Sequence, residues 1–139
     1  MGKPPQQMNS KEKEKFEFVT LQTQLFMEKY FSILNDGFIS DRSVLDVLAY
    51  SSFLLWEESF QYLVLKTIVA NTIEYDKVYY IPIEFPLVTD WIRFEGEQFQ
   101  RQIDEKIKEL ANEFGIELIE VRGTVEERKN FILKDLWKE

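Results

Sequence analysis

Apolar residues first become regular at Phe16. From there Phe16, Val19, Thr23, Phe26, Tyr30 and Ile33 recur at spacings of three and four. That spacing puts them on one face of a long amphipathic helix. Asn9, with Glu12 three positions on, predicts the capping pair that opens it. Asn35-Asp36-Gly37 predicts its end, with Gly37 suited to a left-handed C′ position. Phe38 to Ser40 then reads as a short buried strand. Ser43 followed by Asp46 reads as the N-cap and first-turn acid of a second helix carrying Val44, Leu45, Val47, Leu48 and Tyr50. A third helix covers Phe60 to about Thr72.

Lys77 to Ile81 is a β-branched and aromatic run that stops at Pro82, so a strand is expected there. Ile83 to Phe94 has no clear period, holds Pro86 and Asp90, and reads as loop. Phe99, Ile103, Ile107, Leu110 and Phe114 predict another amphipathic helix, ended by Gly115. Glu117 to Val121 reads as a strand. Gly123 turns the chain, and Thr124 with Glu127 predicts the capping box of a last helix reaching about Trp137. Strands alternating with helices predict an α/β fold, with three parallel strands flanked by helices. Residues 1–10, with Pro4, Pro5, Gln6 and Gln7, read as a flexible arm, and 11–139 as a single domain.

Composition narrows the chemistry. The chain has 139 residues, 45% hydrophobic and 30% charged, so a folded domain is expected rather than disorder. A net charge of −8 argues against general nucleic-acid binding, which needs a basic footprint. A nucleotide needs only a local cluster of cations. With no Cys and no His, thiol or imidazole nucleophiles, imidazole bases and zinc sites built on either are excluded. The start has no apolar leader and no run of about 18 apolar residues occurs, so neither secretion nor a membrane span is expected, and a cytoplasmic location follows by default.

Asp41 and Arg42 stand at the end of the first expected strand. In α/β folds, ligands bind at the carboxyl ends of strands. Asp41 can hold a Mg²⁺ that neutralises phosphate charge, and Arg42 can grip phosphate oxygens bidentately. The plainer alternative is a surface ion pair beside a helix cap. Trp56, Phe60, Tyr62, Tyr79 and Tyr80 could stack a base, but core packing explains them more simply.

Three segments resemble P-loop kinases and phage-type AAA-like ATPases. Phe38 to Tyr50 is similar to the Asp-Arg segment of thymidylate kinases and the Glu-Arg-Ser segment of deoxynucleoside kinases. Tyr75 to Pro82, followed by Asp90-Trp91-Ile92-Arg93 and Phe99-Gln100-Arg101-Gln102-Ile103-Asp104, resembles the fourth strand and arginine-bearing lid of the group that includes ribosylnicotinamide kinase domains. Val121 to Arg128 resembles the last strand and the loop near the adenine. The resemblance covers about Phe16 to Phe131. It implies ATP and Mg²⁺ as cofactors, Asp41 and Arg42 at the acceptor, Arg93 and Arg101 as lid arginines on the transferring phosphate, and Gly123 and Arg128 beside the nucleotide. The implied activity is phosphoryl transfer from ATP to a nucleoside-like or nucleotide-like acceptor.

The chain departs from that pattern at one place. No G-x-x-x-x-G-K-S/T loop occurs in it. Gly2-Lys3 is followed by Pro4-Pro5, and proline supplies no backbone N–H to cradle a phosphate. The expected fold is therefore P-loop-like but shortened at its N-terminus: either the strands flanking the missing one close up, or a second copy or partner chain fills the gap, or the chain is a shortened product or fragment. A non-catalytic interaction module derived from the same fold is the alternative function.

Overall fold

Helix α1 spans Ser10–Leu34 and opens on the expected box: Asn9 Oδ1 accepts the Glu12 N–H at 2.9 Å, and Glu12 Oε2 accepts the Asn9 N–H at 3.1 Å. In the computed structural model, which describes residues 7–55, 57–83 and 96–137, it is followed by α2 (Val44–Leu54) and α3 (Phe60–Thr72). Each of these three helix starts is capped by its own side chains. Ser43 Oγ accepts the Leu45 N–H at 3.1 Å, and Asp46 Oδ2 accepts the Ser43 N–H at 2.7 Å. Ser59 Oγ accepts the Tyr62 N–H at 3.1 Å. Asp46 is thus the helix-opening acid that its position suggested. Further on come β1 (Val78–Tyr80), α4 (Glu97–Glu113), β2 (Leu118–Glu120) and α5 (Val125–Leu136). The chain divides into two compact units, Met1–Glu74 and Tyr75–Glu139.

In the first unit, α2 is apolar almost all round and forms the centre. Val44, Leu45, Leu48 and Ala49 are buried with Leu21 of α1 and Tyr62, Leu65 and Val69 of α3. Tyr62 is therefore a core residue. The face of α1 turned inward is not the expected one. Leu21 and Glu17 are buried, with Gln24 and Glu28 half-buried on the same side. The Phe16–Ile33 stripe faces out, with Phe26 67% and Ile33 73% exposed. Phe18 and Leu25 are half-buried there too, but Glu17, Gln24 and Glu28 interrupt this side, so the longer Phe16–Ile33 period dominates the sequence pattern. Glu17 is tolerated because its Oε2 lies 2.5 Å from the Ser51 hydroxyl.

Two further expectations are corrected in this unit. Phe38 to Ser40 form no strand; residues 37–40 carry no regular structure. The segment folds back beside α1, where the Phe38 ring lies 6.3 Å from that of Phe31, and among the described residues it meets no strand to supply a ladder. Gly37 is not left-handed either. The helix ends at Asn35, extended at φ −132 and ψ 160, whose N–H and side-chain amide both donate to the Phe31 carbonyl at 3.1 and 3.2 Å. The left-handed residue in this loop is Arg42, at φ 94.

The second unit follows its sequence closely. β1 and β2 pair in parallel, with Val78 opposite Leu118 and Tyr80 opposite Glu120. Among the described residues this is the whole sheet, two strands instead of three. α4 makes the crossover and buries Ile103, Leu110 and Ala111, while Val121 is buried just past β2. Gly115, at φ 70, ends α4 as expected: its N–H donates to Asn112 O at 3.2 Å and that of Ile116 to Ala111 O at 2.8 Å. This is the Schellman arrangement, which only a left-handed residue permits cheaply. Among the described residues no helix is long and apolar enough to cross a membrane.

Successive strand residues point to opposite faces, and β1 uses this to tie down both helices. The Tyr79 hydroxyl donates to Asp135 Oδ2 on α5 at 2.6 Å, beside Lys77 Nζ at 2.8 Å. The Tyr80 hydroxyl donates to Asp104 Oδ1 on α4 at 2.5 Å, with Lys108 Nζ 3.4 Å from the other carboxylate oxygen. Burial, then the bond to the Asp135 carboxylate, pushes the Tyr79 phenol up to about 12. A pKa raised on folding stabilises fully below the unfolded value near 10 and is lost as pH rises through the folded one. We expect Tyr79→Phe to cost about 1 kcal/mol at neutral pH. The difference from wild type should vanish between pH 10 and about 12 in denaturation curves; a difference that persists above that window refutes the assignment.

Candidate functional site

The site residues read from the sequence fall into both units. In the first, Asp41 and Arg42 directly precede the cap of α2, and both are exposed. A shallow hollow of about 260 Å³ lies between α1 and this loop, lined by Gln24, Met27, Glu28, Phe31 and residues 38–41. The loop is held by side chains: Ser40 Oγ donates to the Arg42 carbonyl at 2.7 Å, and Gln24 Nε2 reaches Ser40 Oγ at 3.4 Å and Glu28 Oε1 at 3.2 Å. A non-glycine residue at φ 94 is strained by about 1–3 kcal/mol. That strain sits at the arginine the sequence singled out.

The hollow offers Mg²⁺ oxygen donors. Two carboxylates, Asp41 and Glu28, and the Ser40 hydroxyl line it. Mg²⁺ takes hard oxygen donors and is held by one or two carboxylates, its other positions going to water and phosphate. The residues fit that mode. Among the described residues no group of three or more Asp or Glu forms an all-protein metal cage.

In the second unit, the crossover topology fixes where the remaining candidates sit. The carboxyl ends of parallel strands share one edge, so α4 and α5 both begin on the side where β1 and β2 end. Arg101 lies in the second turn of α4 and is exposed; Arg128 lies at the end of the first turn of α5 and is half-buried. Gly123 stands between β2 and α5 at φ 102. A Cβ added there would meet Glu127 Oε2 at 2.7 Å and Glu127 Cβ at 3.2 Å. Glu127 is itself fixed, its N–H donating to Thr124 Oγ1 at 3.2 Å and its Oε1 accepting from that hydroxyl at 3.1 Å. Only the Thr124 half of the predicted capping box is present, its side chain accepting the Glu127 N–H while Glu127 Oε1 takes the Thr124 hydroxyl; the positive φ at 123, with Glu127 close by, favours glycine there. Beside it, Arg122 Nη2 lies 3.1 Å from Glu120 Oε1.

The structure thus brings Gly123 and Arg128 together at the start of α5. Asp41 and Arg42 are adjacent in the other unit, and Arg93 lies outside the described residues. One residue of this edge escaped the sequence reading. Gln100, in the first turn of α4, has a buried Oε1 with no hydrogen-bond donor among the described residues. Only its place one residue before Arg101, early in a helix following a strand, could have marked it.

A family described as an AAA domain matches residues 3–128 of the chain. No curated protein and no solved structure matches.

Proposed function

The chain belongs to the AAA domain family, a P-loop NTPase type of nucleotide-binding domain, and from that premise we propose that it moves the γ-phosphoryl group of ATP to a nucleoside-like or nucleotide-like acceptor. In this reading Gly123 and Arg128 face the nucleotide at the carboxyl edge of the parallel pair. The orphan Gln100 oxygen on that edge is an acceptor that an exocyclic amine could satisfy. Arg93 and Arg101 grip the transferring phosphate. Asp41 holds the acceptor hydroxyl or a Mg²⁺, which when bound neutralises phosphate charge. Arg42 holds the acceptor's phosphate or sugar. The observation that carries the reading is Gly123. A residue whose left-handed backbone favours glycine stands where the backbone of this topology approaches ligands most closely.

One observation favours a second reading. The sequence holds no glycine-rich lysine loop, and such a loop supplies most of the electrostatic stabilisation for phosphoryl transfer. A nucleotide-binding module without transfer activity fits that fact. Titration of Mg-ATP against thermal unfolding tests the nucleotide site, and saturating ligand should add about 1–3 kcal/mol. No shift with ATP, ADP or nucleosides sinks both nucleotide readings. A shift with ATP but no labelled product from any nucleoside acceptor leaves the second.

A further inference from the structure

The stripe of α1 that the sequence marks as a core face is an exposed apolar surface of the first unit. Phe16, Val19, Thr23, Phe26, Tyr30 and Ile33 follow one another at intervals of three, four, three, four and three. That is the alternation of a coiled-coil seam, two positions in every seven. A helix packing on a globular core needs a wider stripe and has no use for a strict seam. The core of this unit instead takes the side bearing Glu17 and Leu21. The seam residues stand out of it, with Phe26 and Tyr30 stacked at 6.1 Å between ring centroids.

We propose that this seam is the face through which two copies of the chain associate, α1 against α1. Three observations select a second copy as the occupant. The first is area. The exposed parts of the seam side chains, with flanking Met27 and Leu34, amount to on the order of 700 Å², taking about 150–250 Å² for each large aromatic. A stable dimer of ordinary size buries about 800 Å² per partner. The second is periodicity, because a seam at period 3.5 is complementary to another seam of the same kind. The third is charge. The chain carries −8 and its copies repel one another. The positions flanking the seam are Lys15, Thr20, Gln22, Met27, Lys29 and Leu34, with no carboxylate among them. Approach is least opposed along this stripe.

The test is mass in solution by light scattering or sedimentation equilibrium, on the full chain, as concentration rises to roughly 100 μM, where an interface of this size with micromolar affinity would be populated. Wild type should move from 16.7 kDa toward twice that mass. Phe26→Glu with Ile33→Glu should stay at the monomer mass with unchanged circular dichroism, since both side chains are exposed within the unit and their loss leaves its core intact. Ser32→Glu, off the seam, should dimerise like wild type. A wild type that remains monomeric overturns the proposal, whether another part of the chain or a different protein covers the stripe. A dimer that survives the seam substitutions overturns it equally.

Discussion

Gly123→Val is expected to destabilise the protein by about 2–4 kcal/mol, the largest loss from any single change near the proposed nucleotide edge. Two independent costs add. A side chain at φ 102 carries about 1–3 kcal/mol of backbone strain. Its Cβ would also fall 2.7 Å from Glu127 Oε2, displacing the carboxylate and breaking the bond it accepts from the Thr124 hydroxyl, worth about 1 kcal/mol. The two costs separate by experiment. With Glu127→Ala the 2.7 Å clash with the carboxylate disappears while the 3.2 Å approach to Cβ and the backbone strain remain, so Gly123→Val should cost about 1–3 kcal/mol in that background. Urea denaturation measures all four chains. A loss under about 1 kcal/mol for the single change would mean that the turn relaxes freely, and Gly123 would then need a ligand rather than its own fold to explain it.

The opposite sign is expected for Glu17→Gln, which should stabilise by about 1–3 kcal/mol at neutral pH, the scale of a buried polar group left short of partners. Glu17 is 1% exposed, its Oε1 has no donor among the described residues, and burial raises its pKa against the opposing bond from Ser51. Proton counting supports the neutral acid. Ser51 Oγ lies 2.8 Å from Val47 O and 2.5 Å from Glu17 Oε2, yet a hydroxyl has one proton. If Ser51 donates to the Val47 carbonyl, the short contact is completed by a proton on Glu17. A carboxyl raised on folding stabilises fully below its unfolded pKa, near 4.3, and that contribution is lost as pH rises through the folded value. The gain from Glu17→Gln should therefore be small near pH 4 and grow toward neutral pH. Parallel stability–pH curves for the two proteins would contradict this.

Local signals in the sequence carried the second unit nearly whole. Thr124 with Glu127, Gly115 after an apolar period of three and four, and the short β-branched and aromatic runs each act within a few residues, and each element appears where they put it. In the first unit the caps at Asn9 and Ser43 were equally legible. What failed there depends on neighbours distant in sequence. Whether Phe38 to Ser40 pair is decided by a strand the segment never meets. Which side of α1 is buried depends on α2 and α3, with Glu17 meeting Ser51 thirty-four positions away. The candidate residues share this division. Gly123 could be read because its constraint is local. The exposure of Asp41 and Arg42, and their place in a loop rather than at a strand end, could not.

Joining β1 to β2 closes a loop of about 40 residues for only three residue pairs. So small a parallel ribbon cannot recover that entropy unless the intervening helix already spans most of the distance. The second unit should then nucleate on α4 and its glycine stop, with the ribbon zipping shut last. Substitutions such as Leu110→Ala should slow refolding, while changes within the strands should chiefly hasten unfolding. The platform on which a nucleotide would rest is in that case the most readily frayed part of the unit, and an occupant there would act as the clasp that holds it shut.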